Sequence, residues 1–165
     1  MNSTSILYLI LGISLISYLF DQALDYLNLK ALRTEIPAEI QDFYETEKYQ
    51  KSLAYQKEQS RFSFLSSAFS FILSFGMLLL GGFGWVDSLL RPFFENQIVL
   101  ALVFFGIIMI VSDILSIPFQ LYSTFVIEEK YGFNKTTIKT FIIDKLKGYA
   151  LGAVIGGALV AVLIY

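Results

Sequence analysis

The chain has 165 residues, 56% of them hydrophobic and only 16% charged, where a soluble domain runs nearer half apolar and a quarter charged. Its formal net charge of −2 offers no electrostatic footing for nucleic acid. It has neither cysteine nor histidine, which excludes disulfides, thiol chemistry, Ser-His or Cys-His nucleophile pairs and imidazole zinc ligands.

A membrane span needs roughly 20 largely apolar residues. The first candidate is about 5–27, within an uncharged run from Met1 to Phe20. It lacks a basic start and a small-x-small cleavage site, so it reads as a retained span and not a signal peptide. Asp21 and Asp25 stand four apart near its end. Paired carboxylates can do acid–base work, but with no third ligand nearby they read as a wetted helix end.

The first loop is long and predicted helical. Pro37 suits a first helical turn, with Ile36 extended before it. Ile40, Phe43 and Tyr44 form an apolar stripe, Glu47 pairs with Lys51 at i,i+4, and Glu58 with Arg61 at i,i+3. The helix is expected to run without a break into the second span, about 62–82. Tyr44, Tyr49 and Tyr55 give it much aromatic surface, which suits either a solvated connector or a helix packed on a cytoplasmic domain.

The second loop, "GFGWVDSLLRPFFENQ", combines turn glycines with Trp85, Leu89, Leu90, Phe93 and Phe94, a pattern for an interfacial helix. The third span is about 98–122. Asp113 is the one ionisable residue well inside it. Such residues face a cavity, a partner helix or interfacial water.

After that span comes "FVIEEKYGFNKTTIKTFIIDKLK". Gly132 is placed to stop a helix, and Asn134 or Thr136 to cap the next one. Ile138, Phe141, Ile142 and Lys145 then share a face, which predicts an amphipathic interfacial helix turning into the fourth span, about 148–165. There Gly148, Gly152 and Gly156 recur every four residues, a small-xxx-small face for helix packing.

Lys and Arg number 0 before the first span, then 6, 1 and 5 in the three loops, which accounts for all 12. Basic loops stay cytoplasmic. The expected topology has loops one and three inside and both termini outside. The expected fold is all-α: a polytopic membrane protein of four transmembrane helices plus cytoplasmic and interfacial helices, with residues 1–165 as a single membrane domain.

The stretch from Pro118 to Lys147 resembles the N-terminal membrane region of type I CAAX prenyl proteases, integral-membrane zinc metallopeptidases. The resemblance rests on Pro118, Phe119, Tyr122, Phe125, Ile127, Glu128, Glu129, Gly132, Phe133, Asn134, Thr137, Phe141 and Asp144. "YQKSLAY", residues 49–55, is similar to the family's first cytoplasmic segment. The resemblance covers nearly the whole chain.

It implies removal of the last three residues of a prenylated Cys-a-a-X terminus, a water-filled chamber among the spans, and a zinc site built on H-E-x-x-H. That motif cannot occur without histidine, and the chain stops at Tyr165, at the edge of a span. The expectation is therefore a truncated piece or gene fragment holding the first four spans. It would be non-catalytic, with no cofactor of its own, and zinc would sit in the longer enzyme. Its expected partners are the bilayer, a C-terminal catalytic domain and a prenylated peptide, with no nucleic acid. Glu128, Glu129, Gly132, Phe133, Asn134 and Asp144 are the candidate elbow or domain interface. The competing readings are a free-standing membrane binding or scaffold protein of the same descent, and a small transporter using Asp113. The transporter lacks the internal repeats such folds show.

Overall fold

The computed structural model describes residues 2–32 and 45–164. The expected helix start at Pro37 and the stripe Ile40, Phe43, Tyr44 lie outside the described residues. Among the described residues every regular element is helical.

Helix α1 is Ser3–Ala31, 29 residues with Lys30 in the last turn, where a cation opposes the helix dipole favourably. Helix α2, Thr46–Leu79, runs 34 residues without interruption. The cytoplasmic helix and second span expected from the sequence are thus one element. At 1.5 Å per residue it is about 51 Å long, against a hydrocarbon core of about 30 Å. One end must stand clear of the membrane, and the charged stretch 46–61 is the end suited to do so. Gly81 follows at φ 71°, a left-handed conformation that costs glycine little, and turns the chain into α3, Gly82–Leu90. A 3₁₀ turn at Arg91–Phe93 carries Pro92.

Helix α4 is Gln97–Tyr122 with Pro118 inside it. Its start is capped by Asn96, whose Oδ1 accepts from the backbone N–H of Ile98 at 2.9 Å and Val99 at 3.3 Å. Proline removes one rung of the helical ladder. Within two turns the helix relaxes into a π segment, Ser123–Glu128, a form that inserts an extra residue per turn and is common at functional positions. Helix α5, Ile138–Ile164, is continuous. The turn expected between an amphipathic helix and the fourth span is absent. Gly148 is tolerated inside a helix, and no proline breaks the run.

Among the described residues three helices are long and apolar enough to cross a membrane, α1, α2, and α4 with its π segment, so the expected count of four spans is not reached among them. Their outward residues fit lipid. Ile16 and Ile72 are each 69% exposed, and such side chains in water would form large apolar patches.

Two compact units divide the chain, 1–79 with 119–134 and 80–118 with 135–165. In the first, α1 packs on α2: the Tyr18 ring stacks on Phe71 at 4.1 Å and 8°, and Gln22 Nε2 donates to Ser67 Oγ at 3.0 Å. Phe62 and Phe69 of α2 meet Phe119, and Phe62 also meets Tyr122. Ile127 of the π segment, 1% exposed, is the most buried side chain among the described residues. In the second unit Leu100 is 4% exposed and Phe104 meets Phe105 edge-on at 5.4 Å.

Candidate functional site

The polar stretch after α4 forms a tied turn within the first unit. Gly132, at φ 69°, closes the helix in a Schellman motif. Phe133 N donates to Glu128 O and Gly132 N to Glu129 O, both at 2.9 Å, which satisfies carbonyls that a helix end leaves open. A Cβ at Gly132 would lie 3.5 Å from Lys51 Nζ, so space is not the constraint; backbone conformation is. Asn134 N reaches Glu128 O at 3.3 Å, and its side-chain Nδ2 donates to Glu129 Oε2 at 3.0 Å. The adjacent glutamates therefore hold the turn in different ways, Glu128 through its carbonyl and Glu129 through its carbonyl and carboxylate.

The protruding part of α2 clasps this turn. Glu58 Oε2 accepts from Lys130 Nζ at 2.6 Å and from Tyr131 Oη at 2.7 Å. The bonds from Lys130 and then Tyr131 hold the Glu58 carboxyl below its usual range. The bond to Glu58 raises both Lys130 and Tyr131. Gln59 Nε2 donates to Ser123 Oγ at 3.0 Å, fixing the start of the π segment. The Tyr55 ring is edge-on to Tyr131 at 5.7 Å and to Phe133 at 4.8 Å. Burial, and then the charge of Glu128, raise its phenol. Lys51 Nζ lies 5.7 Å from the Phe133 ring centre. The partners expected for Glu58 and Lys51 along their own helix were Arg61 and Glu47. Both instead reach across to the turn, Glu58 to Lys130 and Tyr131 and Lys51 to the Phe133 ring.

The cap of α5 differs from the one expected. The cap of α5 is Thr137, whose Oγ1 accepts from Thr140 N at 3.1 Å, and not Asn134 or Thr136. The Asn134 side chain is bonded to Glu129, and the cap lies three residues further along the chain. Asp144 lies exposed on α5, 3.6 Å from Lys147, and belongs to the other unit.

In that second unit Asp113 of α4 is bound by α5. Lys145 Nζ donates to its Oδ1, and Tyr149 Oη to its Oδ2 at 2.5 Å. The Asp113 and Lys145 side chains are 23% and 20% exposed. Lys145 Nζ also lies 5.7 Å from the Phe141 ring centre. Phe141, Lys145 and Tyr149 are spaced by four and share a helix face. That spacing was the available signal; what the sequence did not reveal was which acid they met. The seam continues through Met109, whose Cε would be 3.5 Å from a Cβ at Gly152, and Leu102, 3.8 Å from one at Gly157. Cβ positions at Gly148 and Gly156 meet nothing within 4 Å. Asp21 and Asp25 are both exposed. Among the described residues no three acid, imidazole or thiol side chains group as a metal site. A zinc centre of the thermolysin kind needs imidazole ligands, so the residues present do not fit one.

The comparisons with known proteins converge. A family model described as CAAX prenyl protease N-terminal, five membrane helices, matches residues 25–165. The CAAX prenyl protease 1 homolog of Arabidopsis thaliana is 34% identical over 166 residues, covering 94% of this chain and 39% of the relative. The probable CAAX prenyl protease 1 of Schizosaccharomyces pombe is 37% identical over 146 residues, 81% of this chain and 31% of the relative. The crystal structure of S. mikatae Ste24p matches with a TM-score of 0.81 at 25% identity, over 94% of this chain and 38% of that one. The chain thus spans well under half the length of these relatives. The helical membrane architecture, the elbow sequence and the family match agree: the chain belongs to the CAAX prenyl protease N-terminal family.

Proposed function

We propose that this chain is the N-terminal membrane portion of a zinc metalloendopeptidase of the CAAX prenyl protease type. The whole enzyme would remove the C-terminal tripeptide from prenylated proteins. This portion supplies part of the wall of the intramembrane chamber and performs no hydrolysis. The observation that carries the reading is the family match over residues 25–165 in a chain without histidine. Zinc and its general base belong to a C-terminal catalytic domain.

In this reading residues 1–165 form one membrane domain of four spans, with the N-terminus outside and loops one and three cytoplasmic. The tied turn at Glu128, Glu129, Gly132, Phe133 and Asn134 meets the catalytic domain, and Asp144, which lies in the other unit, is a separate candidate contact with it. Asp113 holds α5 to α4 and acts as a structural anchor, which disfavours a transporter: both of its oxygens are already taken by Lys145 and Tyr149. The coding sequence beyond Tyr165 tests the assignment. An H-E-x-x-H motif there supports it; a stop codon immediately after Tyr165, with a folded and functional chain, sinks it.

A further inference from the structure

A pocket of about 270 Å³ opens between α3 and the first two turns of α4, within the second unit. Leu100, Ala101, Phe104 and Phe105 form its apolar walls, and Asp87, Arg91 and Gln97 its polar ones. Leu100 is buried, while Phe105 is 55% exposed. Trp85 and Phe93, 63% and 78% exposed, flank this region in sequence. Such aromatic residues settle at the level of lipid headgroups.

The polar groups retain unused capacity. Arg91 donates through Nε to Asp87 Oδ2 at 2.6 Å, and its terminal nitrogens make no hydrogen bond to the described residues. Asp87 Oδ1 and the Gln97 carboxamide likewise have no partner among them. An exposed i,i+4 ion pair of this kind contributes little to folding, so helix stability is a weak reason for its presence. What the pair offers is one cation and one anion side by side, above an apolar wall at the membrane boundary.

We propose that this pocket seats the headgroup of a zwitterionic glycerophospholipid, phosphatidylethanolamine. Its phosphate meets the terminal N–H groups of Arg91, and its ammonium donates to Asp87. Gln97 reaches the phosphate or the glycerol esters, and the first methylenes of an acyl chain lie against Leu100, Phe104 and Phe105. Charge complementarity selects the class. An anionic lipid would satisfy Arg91 but set its net charge beside Asp87. A choline headgroup carries no N–H to give Asp87. The pocket takes the headgroup and first methylenes only, with the acyl chains left in the bilayer.

The experiment is native mass spectrometry of the full chain, delipidated in detergent and then titrated separately with phosphatidylethanolamine, phosphatidylcholine and phosphatidylglycerol. One phosphatidylethanolamine per chain should be retained, in preference to the other two. Arg91→Gln and Asp87→Asn should each weaken retention about tenfold, the loss of one charge-assisted hydrogen bond at about 1.4 kcal/mol per factor of ten. Phe104→Ala should weaken it less. Circular dichroism of the variants separates lost binding from lost folding. Equal retention of the three lipids, no retained lipid, or unchanged retention in folded Arg91→Gln and Asp87→Asn overturns the proposal.

Discussion

Gly132 shows how one position decides the path of the chain. Its φ of 69° lies where a side chain is disfavoured, and the Schellman bonds depend on it. Gly132→Ala should destabilise the turn by about 1 kcal/mol, read as a lowered melting temperature in detergent with the helix content preserved. The Glu58–Lys130–Tyr131 clasp gives a pH dependence. The carboxyl of Glu58 is lowered from an ordinary value of 4.5 by its bonds to Lys130 and Tyr131. Its contribution is therefore complete above that value and is lost as pH falls through the depressed one. Lys130 is raised from 10.5 by Glu58, so its contribution is present below that value and fades as pH rises through the raised one. The turn should be tight across neutral pH and loosen in acid. Hydrogen exchange at residues 129–134, corrected for the intrinsic pH effect, should rise below pH 4.5 in the native chain and already be fast at neutral pH in Glu58→Gln. Equal protection in both would show that the clasp does not hold the turn.

Helix ends and helix faces set the next scale. Thr137 caps α5, so Thr137→Ala should cost about 1 kcal/mol, while Asn134→Ala should leave the α5 start intact and loosen only the turn. Comparing amide protection of residues 138–141 in the two variants separates the roles. Along the α4–α5 seam, Asp113 is the polar anchor. Asp113→Asn keeps the shape but removes the charge opposite Lys145, and should cost about 1–2 kcal/mol, the upper range for interhelical bonds in a membrane protein. Gly152 faces only the flexible end of Met109. Gly152→Ala should be nearly neutral, and Gly152→Leu should lower stability by displacing Met109. Thermal melts of the two variants in detergent check this order.

For the whole molecule, the proposed topology places Lys51 and Lys139 on the cytoplasmic side. Single cysteines at those sites in this cysteine-free chain should resist an impermeant reagent applied to intact cells, and label after permeabilisation. Labelling of both from outside would reverse the orientation. The proposed division of labour makes a second statement. A catalytic zinc of this class keeps three protein ligands and an open position for water, and lowers the pKa of that water. This chain has no imidazole or thiolate to hold the metal. Purified alone, it should hold no stoichiometric zinc and leave a prenylated peptide uncut. One tightly held zinc per chain, or turnover stopped by a chelator, would relocate the chemistry to these residues.

Apolar length and the resemblance around Glu128–Asn134 were enough to identify a helical membrane protein of this family, because lipid leaves a chain few ways to satisfy its backbone. Glycine at position 132 was legible for the same kind of reason: the left-handed turn is a local demand. The clasp was not. Glu58 has Arg61 a turn away in sequence, and only packing against the π segment made Lys130 and Tyr131 its partners, 72 and 73 residues distant. Asp113 announced itself as an intramembrane charge, but not that Lys145 and Tyr149 would meet it. Thr137 takes the cap of α5, while the Asn134 side chain is bonded within the turn to Glu129. Local conformational preference is written in neighbouring residues; pairing between distant ones exists only once the helices have packed.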